Sequence, residues 1–190
     1  MKISSTGMNL IKKYEGLNLN VYADPSGYPT VGYGYLLTRA RKYTPNKNLS
    51  QADANKELKS AGLSYTSPIT QSQAEALLKK ELTNTVVPAI NNLENGKRLT
   101  QNQFDSLASF AYNAGIGIFQ TSDMKSLLVC PETYADFIGP INLPVMKKKV
   151  HDAFQYTLSD GKKLPGLVKR RNAEAELFCK DMRYTFDPID

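Results

Sequence analysis

One histidine and two cysteines in 190 residues remove several chemistries at once. A catalytic cysteine or serine wants a histidine base beside it. The single histidine, His151, sits in KKKVHDAF, a helix-like stretch where a lone histidine reads as structural or solvated. Cys130 and Cys179 are far apart and outside any CxxC spacing, so they read as two thiols in a reducing compartment. A zinc site is starved of ligands, and neither a metal nor a cofactor is expected. No apolar run approaches the roughly 20 residues of a membrane-spanning helix, so the protein is not expected to be membrane-integral. Lys12, Lys13 and Glu15 interrupt the place where a secretory signal needs its apolar core. Synthesis in the cytoplasm without a signal peptide is the expectation. Internal repeats and low-complexity tracts are missing too, which excludes solenoids and linker-like segments.

What is present is ordinary for a folded domain. Apolar residues at 41% and charged residues at 22% argue against wholesale disorder, and 190 residues suffice for one domain, with two lobes conceivable inside it. Lysine and arginine outnumber the acids 24 to 18, a formal charge of +6. Such a surface favours polyanions: nucleic acid, acidic lipid or an acidic cell-wall polymer. The basic clusters KKK at 147–149, GKK at 161–163 and KRR at 169–171 each also read as a solvated helix face. No RNA-binding motif or zinc finger accompanies them, so charge alone names no partner.

Periodicity predicts helices for most of the chain. SSTGMNLIKKYEG carries Leu10, Ile11 and Tyr14 at helical spacing, with Ser4 or Ser5 as N-cap and Gly16 as a stop. LNLNVY alternates as a strand does, DPSG supplies a tight turn, and TVGYGYL returns as a second strand. SQADANKELKSAG is a short polar helix closed by Gly62. TQSQAEALLKKEL and TQNQFDSLASFAYNAG both open on a Thr-x-x-Gln capping box. Phe104 to Ala114 is apolar nearly all round, the mark of a central buried helix. TSDMKSLL, PVMKKKVHDAFQY and PGLVKRRNAEAELF complete the set. The expected fold class is α+β, mainly α-helical, with a small N-terminal antiparallel sheet.

The stretch EGLNLNVYADPSGYPTVGYG, residues 15–34, sets two carboxylates beside a hairpin. Glycoside hydrolysis needs one carboxylic acid to protonate the leaving oxygen and one carboxylate to activate water or stabilise the cation. Glu15, on the apolar edge of a helix end, is partly desolvated, which favours its protonated form. Asp24, at a hairpin mouth, stays hydrated and ionised, which gives the acid/base division of labour. Thr30 could help hold the attacking water, and Gly32 and Gly34 allow a sugar to approach the strand. The same residues also make a plain structural hairpin with a helix-capping glutamate and an Asx-turn aspartate. Spacing alone leaves both readings open.

The run Glu15, Asp24, Thr30 and VGYG resembles the catalytic signature of the phage-type, T4-like lysozymes, the endolysins of glycoside hydrolase family 24. The likeness continues through ITQSQAEALLKKEL, LTQNQFDSLASFAYNAGIGIF and DGKKLPGLVKRRNAEAELF in the family's order. It implies a lysozyme-like fold over 1–190: a small lobe at about 15–75, a helical lobe of about 76–190 with the N-terminal helix, and an active-site cleft between them. It implies hydrolysis of the β-1,4 bond between N-acetylmuramic acid and N-acetylglucosamine, with Glu15 as general acid and Asp24 and Thr30 positioning and activating water. Tyr33, Gly34, Tyr35, Asn113 and Arg170 are carried over as substrate-binding. Arg170, rather than Arg171, matches the arginine paired with the catalytic glutamate. The implied partner is bacterial peptidoglycan, reached in the periplasm through a holin or a secretion machine; no nucleic acid is implied, and the chain is expected to be monomeric. Two departures stand out. Tyr35 follows GYG where many relatives have histidine, and segments 39–68 and 130–146 are longer than usual. A wall-binding protein that keeps the fold without catalysis, or a delivered antibacterial effector with the same chemistry, are the alternatives.

Overall fold

The computed structural model describes residues 1–93, 98–121, 127, 143–155, 158–159 and 162–182, and the chain divides into two compact units, Glu15–Glu81 and Met1–Tyr14 with Leu82–Asp190.

In the unit Glu15–Glu81, Gly16 stops the first helix in a left-handed conformation (φ 71°), and a three-stranded antiparallel meander follows. Its strands are β1 (Asn18–Ala23), β2 (Pro29–Gly32) and β3 (Tyr35–Leu36). Alternation along β1 sends Val21 and Ala23 into the core and leaves Tyr22 half-buried. The register pairs Tyr22 with Thr30 and Thr30 in turn with Leu36. The predicted single return strand TVGYGYL is corrected here: it breaks into β2 and β3 around a turn at Tyr33–Gly34. The cause is conformational, since Gly32 (φ 70°) and Gly34 (φ 87°) both occupy the left-handed region that L side chains avoid. Gly32 is also pressed on by packing, because a Cβ there would stand 3.0 Å from the Ala74 Cβ.

Two helices close this unit. In α2 (Gln51–Ser60) the Ser50 hydroxyl caps the Asp53 N–H; in α3 (Gln71–Glu81) the Thr70 hydroxyl accepts from Gln73 N–H while Gln73 Oε1 accepts from Thr70 N–H. The core comprises Val21, Val31, Leu58, Ile69, Leu77 and Leu78. The longer segment after β3 folds back along the hairpin as a strap. Leu37 N–H donates to Pro29 O, Tyr43 N–H to Gly27 O, Asn46 N–H to Ala23 O and Leu49 N–H to Val21 O, all at 2.8–2.9 Å.

The strap is anchored by Glu57, a fully buried acid of α2 that accepts from Arg41 Nε at 2.6 Å and from the Tyr43 hydroxyl at 2.7 Å. Burial alone would raise this carboxyl, but the hydrogen bonds from Arg41 and Tyr43 hold it below its ordinary value of 4.5. A carboxyl depressed in the folded state stabilises the fold above its unfolded value and loses that contribution as pH falls through its folded value. The melting temperature of Glu57→Gln should therefore converge on that of the parent as pH drops below 4.5, measured by calorimetry. A gap that stayed constant into acid would show that Glu57 contributes shape and not charge.

In the other unit, α1 (Ser5–Glu15) is capped by Ser4, whose hydroxyl accepts from the Thr6 and Gly7 N–H groups. Ser4 also hydrogen-bonds the buried carboxylate of Asp105 through its N–H and its hydroxyl. A five-residue π-helical turn, Leu82–Val86, leads into α4 (Val87–Asn91). Pro88 lacks an N–H and its ring crowds the preceding turn, so widening the helix there relieves the clash. The central helix α5 (Gln101–Ala114) is buried from Gln103 to Ala111 and opens on the reciprocal Thr100–Gln103 capping box read from sequence. Around it lie α6 (Ile116–Thr121), α7 (Leu143–Ala153), a small hairpin of β4 (Leu158–Ser159) and β5 (Lys162–Lys163), and α8 (Pro165–Cys179). Phe154 sits edge-on to both Phe110 and Phe178, with centroids 5.7 and 6.0 Å away, which joins α7, α5 and α8 in one aromatic core.

Sequence reasoning missed α4, α6 and the β4–β5 hairpin. Of the helix expected at TSDMKSLL, only Thr121 and Leu127 are described; Cys130 and positions 130–142 of the second long segment also lie outside the described residues. Cys179 is buried, and burial pushes its thiol up to about 11. His151 Nε2 stands 3.2 Å from Glu176 Oε1. Lys147, Lys148 and Lys149 are exposed, as a solvated face requires. No helix among the described residues is long and apolar enough to cross a membrane, and no group of three or more metal-ligating side chains is found among them.

Candidate active site

The β1–β2 turn is built around Asp24. Its Oδ1 accepts from Ser26 N–H at 2.8 Å and Tyr28 N–H at 2.9 Å, and its own N–H donates to Tyr28 O at 2.9 Å. One carboxylate oxygen thus fixes the turn, and among the described residues no hydrogen bond engages Oδ2. Asp24 as a residue is half-buried.

Thr30 lies on β2 and is 5% exposed. Its hydroxyl donates to Tyr28 O at 3.1 Å. The donor is committed, so the lone pairs of Oγ1 are what remain to meet a ligand or a water proton. The Tyr28 peptide therefore holds both side chains, with its N–H on Asp24 and its C=O on Thr30.

Glu15 is the last residue of α1 and is half-buried. Tyr22 relates it to the turn. The Tyr22 phenol is pushed up first by burial and then by the negative charges of Glu15 and Asp24. Both carboxylates lie near enough to act on that one hydroxyl. Sequence reasoning did not select Tyr22. The available signal was register: two residues before Asp24 on an alternating strand, and cross-strand from Thr30. Tyr33 is buried, Gly34 exposed and Tyr35 half-buried on β3 opposite Val31.

The remaining two expected residues belong to the helical unit, where they gather round Glu174. Glu174 is fully buried, and Arg170 Nε and Arg171 Nε lie 3.0 and 2.8 Å from its carboxylate oxygens. Ser109 Oγ donates to it at 2.6 Å. Burial pushes the Glu174 carboxyl up, against the pull of Arg171 and Arg170. Arg171 Nη2 also donates to Asn113 Oδ1 at 3.0 Å, and Arg170 lies 5.9 Å from the ring centroid of Tyr14. Glu174 was missed as well, although its i+3 and i+4 spacing from the two arginines was legible.

An acid at a helix end, a carboxylate with one oxygen outside the turn's hydrogen bonds and a threonine whose hydroxyl proton is committed are residue types that hydrolysis of a glycosidic bond can use. The family model described as Phage lysozyme matches residues 12–174. The chain belongs to the phage lysozyme family. This lysozyme is 34% identical over 180 residues to the endolysin of Acyrthosiphon pisum secondary endosymbiont phage 1, covering 94% of this chain and 98% of that protein. It is 31% identical to the endolysin of Bacillus phage B103 over 94% of its length, but spans only 54% of that longer protein. Among solved structures it resembles the muramidase domain of SpmX from Asticaccaulis excentricus, with a TM-score of 0.58 and 31% identity over 93% of this chain and 97% of that one. Membership makes this lysozyme a peptidoglycan-degrading enzyme, and the mainly helical fold with a small antiparallel sheet is the family's.

Proposed function

We propose that the enzyme is an inverting muramidase in which Glu15 protonates the leaving glycosidic oxygen and Asp24 deprotonates the attacking water. The observation that carries the reading is the Tyr28 peptide, which holds Asp24 by Oδ1 and Thr30 by its hydroxyl proton. That leaves Asp24 Oδ2 and the Thr30 lone pairs, two acceptors suited to the two protons of one water. The oxygen lone pair of that water is then directed at the anomeric carbon. Asp24 takes the proton as the C–O bond forms, and Glu15 gives its own to the departing sugar.

Tyr33, Gly34, Tyr35 and Asn113 are assigned to substrate binding, and Arg170 to the service of the acid. For Arg170 the support is its place over Tyr14, the residue before Glu15 in α1. The anionic wall is the natural partner of a chain carrying +6. Holin-dependent release or delivery by a secretion machine fits a periplasmic site of action. The enzyme is proposed to act as a monomer without a cofactor.

Inversion requires room for water, so the carboxyl groups of Glu15 and Asp24 should stand about 6.5–9.5 Å apart. The test is the first product released from soluble glycan, followed by proton NMR before mutarotation. The new reducing end should be the α anomer. A β product at early times, or a trapped glycosyl–Asp24 adduct, would make Asp24 a nucleophile and remove the water-holding role of Thr30.

A further inference from the structure

The strap that closes back on the hairpin carries Arg39, Arg41, Lys42 and Lys47 between Thr38 and Ser50, and no acid. Arg41 is accounted for by Glu57. Arg39 and Lys42 are exposed, yet both turn onto one aromatic ring: the Arg39 guanidinium carbon lies 5.3 Å and the Lys42 Nζ 4.8 Å from the Tyr28 centroid. Among the described residues neither forms an ion pair with an acid. Contact with the ring leaves both cations donors that the aromatic face does not satisfy. An anion reaching the ring's edge would gain an ion pair from these cations, with the guanidinium fork suited to a carboxylate.

The ring is Tyr28, whose peptide holds Asp24 and Thr30. A group bound by Arg39 and Lys42 is therefore registered against the catalytic turn. The strap is fixed before any ligand arrives, by Tyr43 N–H on Gly27 O at 2.8 Å and by Glu57 on Arg41 and Tyr43, so little ordering is left for binding to do.

We infer that Arg39 and Lys42 form a carboxylate-binding site that reads the peptide substituents on the muramic acid sugars, which rests on the muramidase reading above. Those sugars carry peptides with free carboxylates through a lactyl ether, whereas the intervening N-acetylglucosamine units carry no charge. The site selects peptide-bearing glycan over bare glycan and sets which sugar faces Asp24.

Binding is measured by calorimetry on the full chain carrying Glu15→Gln, so that turnover does not consume the ligand. The probes are a soluble peptide-bearing glycan fragment, the same fragment stripped of peptide, and inorganic phosphate. Adding Arg39→Gln and Lys42→Gln should weaken the peptide-bearing fragment about fivefold at low salt, the scale of two exposed ion pairs. The loss should fade as salt shortens the screening length, and the stripped fragment should change by less than about twofold. Lys42→Glu should weaken the peptide-bearing fragment further. Equal losses on both glycans, or none on either, overturn the proposal. Phosphate binding that disappears in the double variant also overturns it, by making this a phosphate site. Failure of the muramidase reading is seen separately, as failure of the unsubstituted chain to release fragments from walls.

Discussion

Glu15→Gln should lower the rate of wall lysis by a factor of roughly 10² or more while leaving the fold intact. The substitution keeps the side chain's size and one acceptor but removes the proton that the leaving oxygen needs. Departure of a sugar alkoxide without protonation is the costliest event in the reaction, and no other described group is assigned to relieve it. The helix itself should tolerate the change, since Glu15 is its last residue and half-buried rather than part of the core. Turbidity loss of permeabilised Gram-negative cells measures the rate, and circular dichroism with a melting curve measures the fold. Residual activity within about threefold of the parent would take Glu15 out of the acid role. A silent variant that still sediments with walls would separate catalysis from binding, and so dispose of the alternative in which the fold only binds.

Much of this was legible in the sequence because its causes are local. The two Thr-x-x-Gln boxes declare helix starts through bonds made within four residues, and both form at Thr70 and Thr100. DPSG is a turn whatever surrounds it, and Asp24 closes it with its own carboxylate. What escaped depends on partners distant in the chain. The break between β2 and β3 follows from positive φ at Gly32 and Gly34, and from the closeness of Ala74 to Gly32, while the letters alternate as a continuous strand does. The strap has no periodicity at all; its bonds to Gly27, Ala23 and Val21 exist only once the hairpin has formed. The candidate site divides the same way. Glu15, Asp24 and Thr30 are proposed through a resemblance, whereas the hydrogen bonds of the Tyr28 backbone to two of them are a property of main-chain atoms that no residue type announces.

Replacing Glu174 by alanine should cost about 3–5 kcal/mol of stability, the usual loss when one member of a buried ion pair is removed and its partners keep no acceptor. The reason lies in what is left behind. Arg170 and Arg171 are both buried, and a guanidinium cannot shed its proton to escape. Glutamine, which keeps the volume and still accepts from Ser109 Oγ, should cost less, because burial already pushes the carboxyl up and disfavours its charge. For a chain of this length the loss in the alanine variant corresponds to a fall in melting temperature of roughly 10 °C, read by calorimetry near neutral pH. Activity should fall too, beyond what stability accounts for, when assayed well below the melting point. Arg170 Nε and Arg171 Nε are both aimed by this carboxylate, and Arg171 in turn holds Asn113. An arginine released from Glu174 loses the direction that its proposed service to the acid requires. A melting temperature of the alanine variant within about 2 °C of the parent would instead mean that the two buried arginines do not depend on this carboxylate. In that case the two arginines draw their compensation from elsewhere, and Glu174 is a hydrogen-bond acceptor alone.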